Sequence, residues 1–151
     1  MTLQLFRSYS KRKMEACCFW YGLRDETGGG QVLAVVVPRQ RNTWGNYSVT
    51  AETMTGVSDH TRPHGWLNLS QVHTHPGRSV THSWYDDDNA NSRKALSIVI
   101  PNYGAWNEQW PRGIGVHEFQ EGYWHLLSEK TATYRTAIGP ANQPVRMVDL
   151  R

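Results

Sequence analysis

At 151 residues, with 16 basic against 13 acidic side chains and a formal charge of +3, the chain has the size of one domain and a mild charge balance. No basic run is interleaved with aromatics, so nucleic-acid binding is not suggested, and no stretch approaches the ~18 apolar residues of a membrane span. A chain of this length buries roughly two thirds of its unfolded surface, enough for a hydrophobic core.

The segment MTLQLFRSYSKRK lacks the apolar run of a signal peptide. Cys17 and Cys18 are adjacent, and a disulfide between neighbours is strained. With no other cysteine to pair with, they predict a reduced, cytoplasmic protein whose thiols pack in the core rather than act as nucleophiles. Residues 1–14 are polar and basic apart from Leu3, Leu5 and Phe6, and predict a turn or two of helix at most. Ala16 to Tyr21 read as a buried strand, Asp25 to Gly30 (DETGGG) as a hairpin turn, and Val32 to Val37 as the strongest strand, central in a sheet and stopped by Pro38. Arg39 to Gly45 reads as a loop, Tyr47 to Met54 alternates like a half-exposed strand, and Thr55 to Gly65 reads as a loop or irregular helix. Leu67 to His75 is a strand, Ser83 to Ala95 a short helix, and Leu96 to Ile100 a buried strand closed by Pro101. Asn102 to Gly113 is an aromatic, flexible loop. Ile114 to Phe119 and Gly122 to Leu127 form a hairpin around Gln120 and Glu121. Thr131 to Arg151, polar and containing Pro140 and Pro144, reads as an extended tail after a core of about residues 15–127. Strands separated by short helices predict a single α/β domain on a mixed sheet.

The chemistry concentrates in Gln71 to Asp88, QVHTHPGRSVTHSWYDDD. His73 and His75 alternate along a strand, so both imidazoles face one side, and Pro76–Gly77 end the strand at once. Seven residues later, Ser83 and Asp86 share one face of a helix's first turn. Two histidines and one carboxylate make the ligand set of a catalytic zinc site, which keeps a fourth position for water; a structural site is normally closed by four protein ligands. Such a site also needs a general base.

The pattern His-Thr-His, seven residues, Ser, two residues, Asp resembles the signature of the JAMM (MPN-plus, Mov34/JAB) zinc metalloproteases. That family places a glutamate on an early strand, a position that Glu15 fills in MEACCFWYGL. The resemblance covers about Glu15 to Leu127. It implies a cytidine-deaminase-like sandwich, a curved mixed sheet with short helices and the zinc at its edge. It assigns His73, His75 and Asp86 as ligands of one zinc ion, with Asp87 the fallback for Asp86, and Glu15 as general base. Ser83 is then either the hydrogen-bond donor to the polarised carbonyl oxygen or a plain helix cap. His60, His64, His82, His117 and His125 lack a matching partner set and read as surface or packing residues, His82 being notable for lying beside Ser83. Trp84 and Tyr85 are expected to pack their helix onto the sheet. The tryptophans of WNEQW (Trp106 to Trp110) are expected either to pack or to grip substrate, together with Trp44 and Trp66.

VHTHPG, LSIVIPNYG and GVHEF extend the resemblance to small bacterial JAMM domains encoded beside ubiquitin-like, E1-like and E2-like proteins, often in anti-phage systems. By that likeness the enzyme cleaves a ubiquitin-like protein from its conjugates or processes its precursor, with no nucleic acid or membrane partner. The competing reading is a non-catalytic MPN-like scaffold that binds a protein partner. A third keeps the metal and changes the substrate, as in a cysteine-adduct or sulfur-carrier peptidase.

Overall fold

The computed structural model of the protein describes residues 1–26, 29–90, 92–139 and 144–151. In chain order it has α1 (Thr2–Ser10), β1 (Cys17–Arg24), β2 (Gly30–Pro38), the short strands β3 (Arg41–Asn42) and β4 (Tyr47–Ser48), α2 (Ala51–Thr61), β5 (Leu67–Thr74), α3 (Trp84–Asp88), β6 (Leu96–Ile100), β7 (Gly115–Gln120), β8 (Tyr123–Leu126), α4 (Glu129–Arg135) and β9 (Arg146–Leu150). Seven of the strands form one sheet in the order β8-β7-β6-β5-β1-β2-β9, while β3 and β4 pair separately. The sheet is mixed: β5–β6 and β2–β9 run parallel and the other pairs antiparallel.

Alternation along the strands sends side chains to two faces, and both are covered. Cys18, Val35, Val37, Val72, Ile98, Ile100 and Val116 meet Phe6 and Tyr9 of α1 and Ala132 of α4. On the other face Cys17, Phe19, Tyr21, Ala34 and Val36 meet Tyr47 of β4 and Val57 of α2. Complete burial of each such valine, isoleucine or phenylalanine contributes about 1.5–3 kcal/mol. The middle strand, β5, is therefore buried from Ser70 to Thr74. No helix among the described residues is long and apolar enough to cross a membrane.

Several expectations need correction. The first segment makes a nine-residue helix, because Phe6 and Tyr9, three apart, share a face that the sheet buries. Apolar β2 is next to the edge strand rather than central; β5 holds the centre. Tyr47 to Met54 is not a strand: β4 stops at Ser48, and the Thr50 side chain accepts the Thr53 N–H to start α2. The helix after Ser83 ends at Asp88 rather than Ala95, with the Asn89 N–H bonded to the Tyr85 carbonyl. The last segment is not an extended tail. It carries α4, capped by Ser128, and β9, which pairs with β2 from Ala34–Arg146 to Pro38–Leu150. Pro140 lies outside the described residues, as do residues 27 and 28 of the predicted DETGGG turn. The β7–β8 hairpin forms as expected, but its turn lies one residue later, at Glu121 and Gly122, both at positive φ, because Gln120 pairs with Tyr123.

Candidate metal centre

β5 brings His73 to the sheet centre, where it pairs with Cys17 of β1 and Val99 of β6. His75 lies just beyond the strand. Its N–H donates to the Ile100 carbonyl at 3.0 Å, so parallel β6 fixes its height. After β6, Asn102, Tyr103 and Gly104 adopt φ values of 54°, 56° and 84° in succession. Two non-glycine residues in the left-handed region cost about 1–3 kcal/mol each and persist where the surroundings over-determine them. Here the Asn102 N–H donates to the Gly77 carbonyl (2.8 Å) and the Tyr103 N–H to the His75 carbonyl (2.7 Å), clamping both ends of His75–Gly77. At Gly104 a Cβ would stand 2.5 Å from Cβ of Phe6. Gly104→Ala is therefore expected to lower stability by about 3 kcal/mol, through left-handed strain and overpacking together. A urea midpoint within error of wild type would contradict this account of the clamp.

His73 Nε2 stands 3.2 Å from His75 Nε2 and 3.1 Å from Asp86 Oδ1, and His75 Nε2 is 3.2 Å from Asp86 Oδ2. A tetrahedral ion bound at 2.0–2.1 Å has ligand–ligand edges of about 3.3 Å, close to the separation of the two imidazole nitrogens; the rings face different oxygens of Asp86, and one ligand atom from each of the three residues lies within 4.8 Å of the others. Among the described residues, these three side chains form the one cluster of histidine, cysteine or acidic groups that can hold a metal ion. The outer contacts fit that use: His75 Nδ1 faces the Ser79 carbonyl at 3.2 Å, and Asp86 Oδ2 accepts from the Ser83 N–H and hydroxyl, both at 2.7 Å. His73 Nδ1 is buried without a hydrogen-bond partner among the described residues.

Burial pushes the Asp86 carboxyl up, but hydrogen bonds from His73 and His75 outweigh it and hold the group well below the usual carboxylate range. Burial pulls both imidazoles down. For His73 burial prevails, whereas for His75 the contacts to Asp86 and the charge of Glu15 prevail and its pKa is raised.

Glu15, only 6 % exposed, sits two residues before the start of β1. Its N–H donates to the Thr43 carbonyl (2.8 Å), and its own carbonyl accepts from the Asn42 side chain (2.7 Å), so the β3–β4 turn fixes its backbone. Its carboxyl is pushed up to about 7, mainly by burial, with His75 opposing and Asp86 adding to the rise. Glu15 thus joins the cluster electrostatically while its carboxylate accepts no hydrogen bond from a described residue.

Ser83 is the N-cap of α3 in a reciprocal capping box. Its hydroxyl accepts the Asp86 N–H while the Asp86 carboxylate accepts the Ser83 N–H. Asp87, the fallback ligand, turns away to His82 at 2.8 Å. Cys17 and Cys18 are both fully buried, and burial raises both thiols, Cys18 to about 12. They pack, as expected.

The aromatic residues divide differently from the expectation. Trp110 donates its indole N–H to the Thr136 carbonyl (2.9 Å), and Trp106 donates to the Arg112 carbonyl (2.8 Å); both pack against the core. Trp84 does not pack onto the sheet: it is 76 % exposed, as is Trp44. Trp44 follows the Thr43 that holds Glu15, and Trp84 follows Ser83, so the exposed pair occurs on the two segments that carry the site. Tyr85 does tie its helix down, donating to the Tyr47 carbonyl at 3.3 Å. Tyr103, which the sequence reading passed over, donates its hydroxyl to the Trp44 carbonyl at 2.8 Å. Its signal was the turn-forming run Pro-Asn-Tyr-Gly behind an apolar strand.

No family model matches the chain, and no curated protein does. Among solved structures, it is similar to the solution structure of a protein from Salinibacter ruber, at 16 % identity over 84 % of this chain and 85 % of that one, with a TM-score of 0.56. That likeness is one of fold and bears out a single mixed α/β architecture.

Proposed function

We propose that this chain is a zinc-dependent isopeptidase of the JAMM type, with the deaminase-like sandwich of that family. It acts on the bond after the C-terminal tail of a ubiquitin-like protein. The observation that carries the reading is a buried carboxyl, Glu15, beside a His73–His75–Asp86 cluster that can hold a metal ion. Two imidazoles with one carboxylate suit zinc and leave a position open. Zinc held there supplies Lewis acidity to the scissile carbonyl and lowers the pKa of an attacking water. The chain's residues do the rest. Glu15 takes the proton from the attacking water and delivers it to the leaving amine, and a zinc ion beside it would favour the ionised form that accepts the proton. The Ser83 hydroxyl, turned from Asp86 toward substrate, donates to the carbonyl oxygen as charge develops. Trp44 and Trp84 offer exposed aromatic contacts to an extended peptide. The same reading makes conjugates of the ubiquitin-like protein the substrates, E1-like and E2-like proteins the pathway partners, and bacterial anti-phage defence in the cytoplasm the setting.

The test incubates zinc-loaded protein with a panel of ubiquitin-like proteins fused through their C-terminal glycine to a reporter. Wild type is expected to release the reporter and Glu15→Gln to release none while keeping its metal. Ser83→Ala is expected to lose roughly 100–1,000-fold in turnover. If it loses only about 1 kcal/mol of stability, Ser83 is a cap alone. An inert zinc-loaded wild type across the panel would overturn the isopeptidase reading.

A further inference from the structure

α3 is five residues long, far below the length at which a helix sustains itself, yet it carries Asp86. Its first residue, Trp84, is exposed and does little to hold it. The Tyr85 hydroxyl and the Ser83–Asp86 capping box supply part of its anchorage. A further tie is His82.

With Ser83 at the N-cap, His82 is the residue before it and Asp87 is the fourth helical residue. In many helices these two positions are joined by an apolar contact that sets the angle at which the chain approaches the helix. Here the join is polar: His82 Nδ1 and Asp87 Oδ1 are 2.8 Å apart. The other ring nitrogen, Nε2, lies 2.8 Å from the Ser97 hydroxyl on β6. With Nδ1–H donated to the carboxylate, Nε2 accepts from Ser97. The ring stacks on His117 of β7, with centroids 3.9 Å apart and planes at 25°, and meets the Trp124 ring of β8 at 5.3 Å. One side chain, 5 % exposed, therefore bolts the start of α3 to three strands.

We infer that His82 is a positioning residue for the metal centre. By holding Asp87 and Ser97 together it fixes the first turn of α3, and so the direction in which Asp86 presents its carboxylate to His73 and His75. Asp87, His82 and Ser97 have the connectivity of a nucleophilic triad. Ser97, however, is only 3 % exposed in the sheet face, where no substrate reaches it. Placement of α3 is the role that remains.

The inference rests on the metal reading above, and the wild-type titration separates the two: a wild type that binds no zinc fails that reading, before His82 is at issue. Zinc affinity is measured by chelator competition, and ligand geometry by the visible spectrum of the cobalt(II)-substituted protein, on wild type, His82→Ala, Asp87→Ala and the double variant. Near-ultraviolet circular dichroism monitors the fold. His82→Ala is expected to bind zinc about 10–100-fold more weakly and to change the cobalt spectrum while still folded. Asp87→Ala, altered at a half-exposed surface carboxylate, should weaken binding in the same direction. The double variant should lose little more than His82→Ala, because both act through one bond. Zinc affinity within threefold of wild type together with an unchanged cobalt spectrum in His82→Ala overturns the inference. So does complete loss of zinc in Asp87→Ala, which would make Asp87 a ligand. Should His82→Ala not fold, Asp87→Ala decides: wild-type affinity there counts against the inference and a partial loss for it.

Discussion

About one equivalent of zinc is expected on the wild-type protein, and His73→Ala is expected to lose it, with affinity falling by more than the roughly 10–100-fold that loss of an outer partner costs. The imidazole is fully buried and supplies one corner of a three-cornered site, so no solvent-exposed group can swing in to replace it. The same substitution strips Asp86 of one of its two imidazole partners. The metal-free variant should therefore also lose about 1–3 kcal/mol of stability. Asp86→Asn separates these effects. Its amide oxygen can still cap α3, so the fold should suffer less, while the anionic ligand is gone. Elemental mass spectrometry of the dialysed proteins, with chelator competition for affinity, reads the outcome. Stoichiometric zinc in either variant would remove that residue from the ligand set. Metal capture must also displace protons, because imidazole binds a metal only when neutral. With His75 raised by Asp86, affinity should weaken as the pH is lowered through the His75 titration.

The second large effect is a gain. In the metal-free protein Glu15→Gln should be more stable than wild type at pH 8, by up to about 3 kcal/mol, and no more stable at pH 4. Glu15 titrates near 7 when folded and near 4.5 when unfolded, so between those values the folded protein holds the extra proton. Stability then falls as pH rises through that window and stays lower above it. Glutamine keeps the shape and removes the buried charge. Zinc should shrink the difference, because a nearby cation favours the ionised carboxylate. Urea unfolding of both proteins at pH 4 and pH 8 tests this, and an equal gap at the two values would show that burial of the charge is not its cause. The substitution expected to abolish turnover is thus the one expected to strengthen the metal-free fold, the trade-off of a functional group held where packing alone would not keep it.

Much of the site was legible because it is local. His73 and His75 share a strand face by alternation, and Ser83 and Asp86 share a helical turn by spacing. Pro76–Gly77 mark the break between them. Glu15 was legible through the family likeness, and the chain places it beside them by pairing β1 with β5. What the sequence hid was decided at a distance. β9 is only five residues long and follows a stretch containing Pro140 and Pro144, so it does not announce a strand; the open edge of β2 makes it one. Tyr47 to Met54 alternates like a strand, but a cap at Thr50 ends that pattern after two residues. His82 lacked a visible partner because Ser97 and His117 reach it only once β6 and β7 have paired.

That same late strand bears on how the chain comes off the ribosome. β2 carries Val35, Val36 and Val37, and the partner that closes its outer side is synthesised roughly a hundred residues afterwards, about 5–20 s at ordinary elongation rates. Through that interval an apolar strand offers unpaired N–H and carbonyl groups to any neighbouring nascent chain. Crowded polysomes are where this protein is most exposed to mispairing, and slowing translation after β8 would lengthen the hazard without altering a single residue of the finished fold.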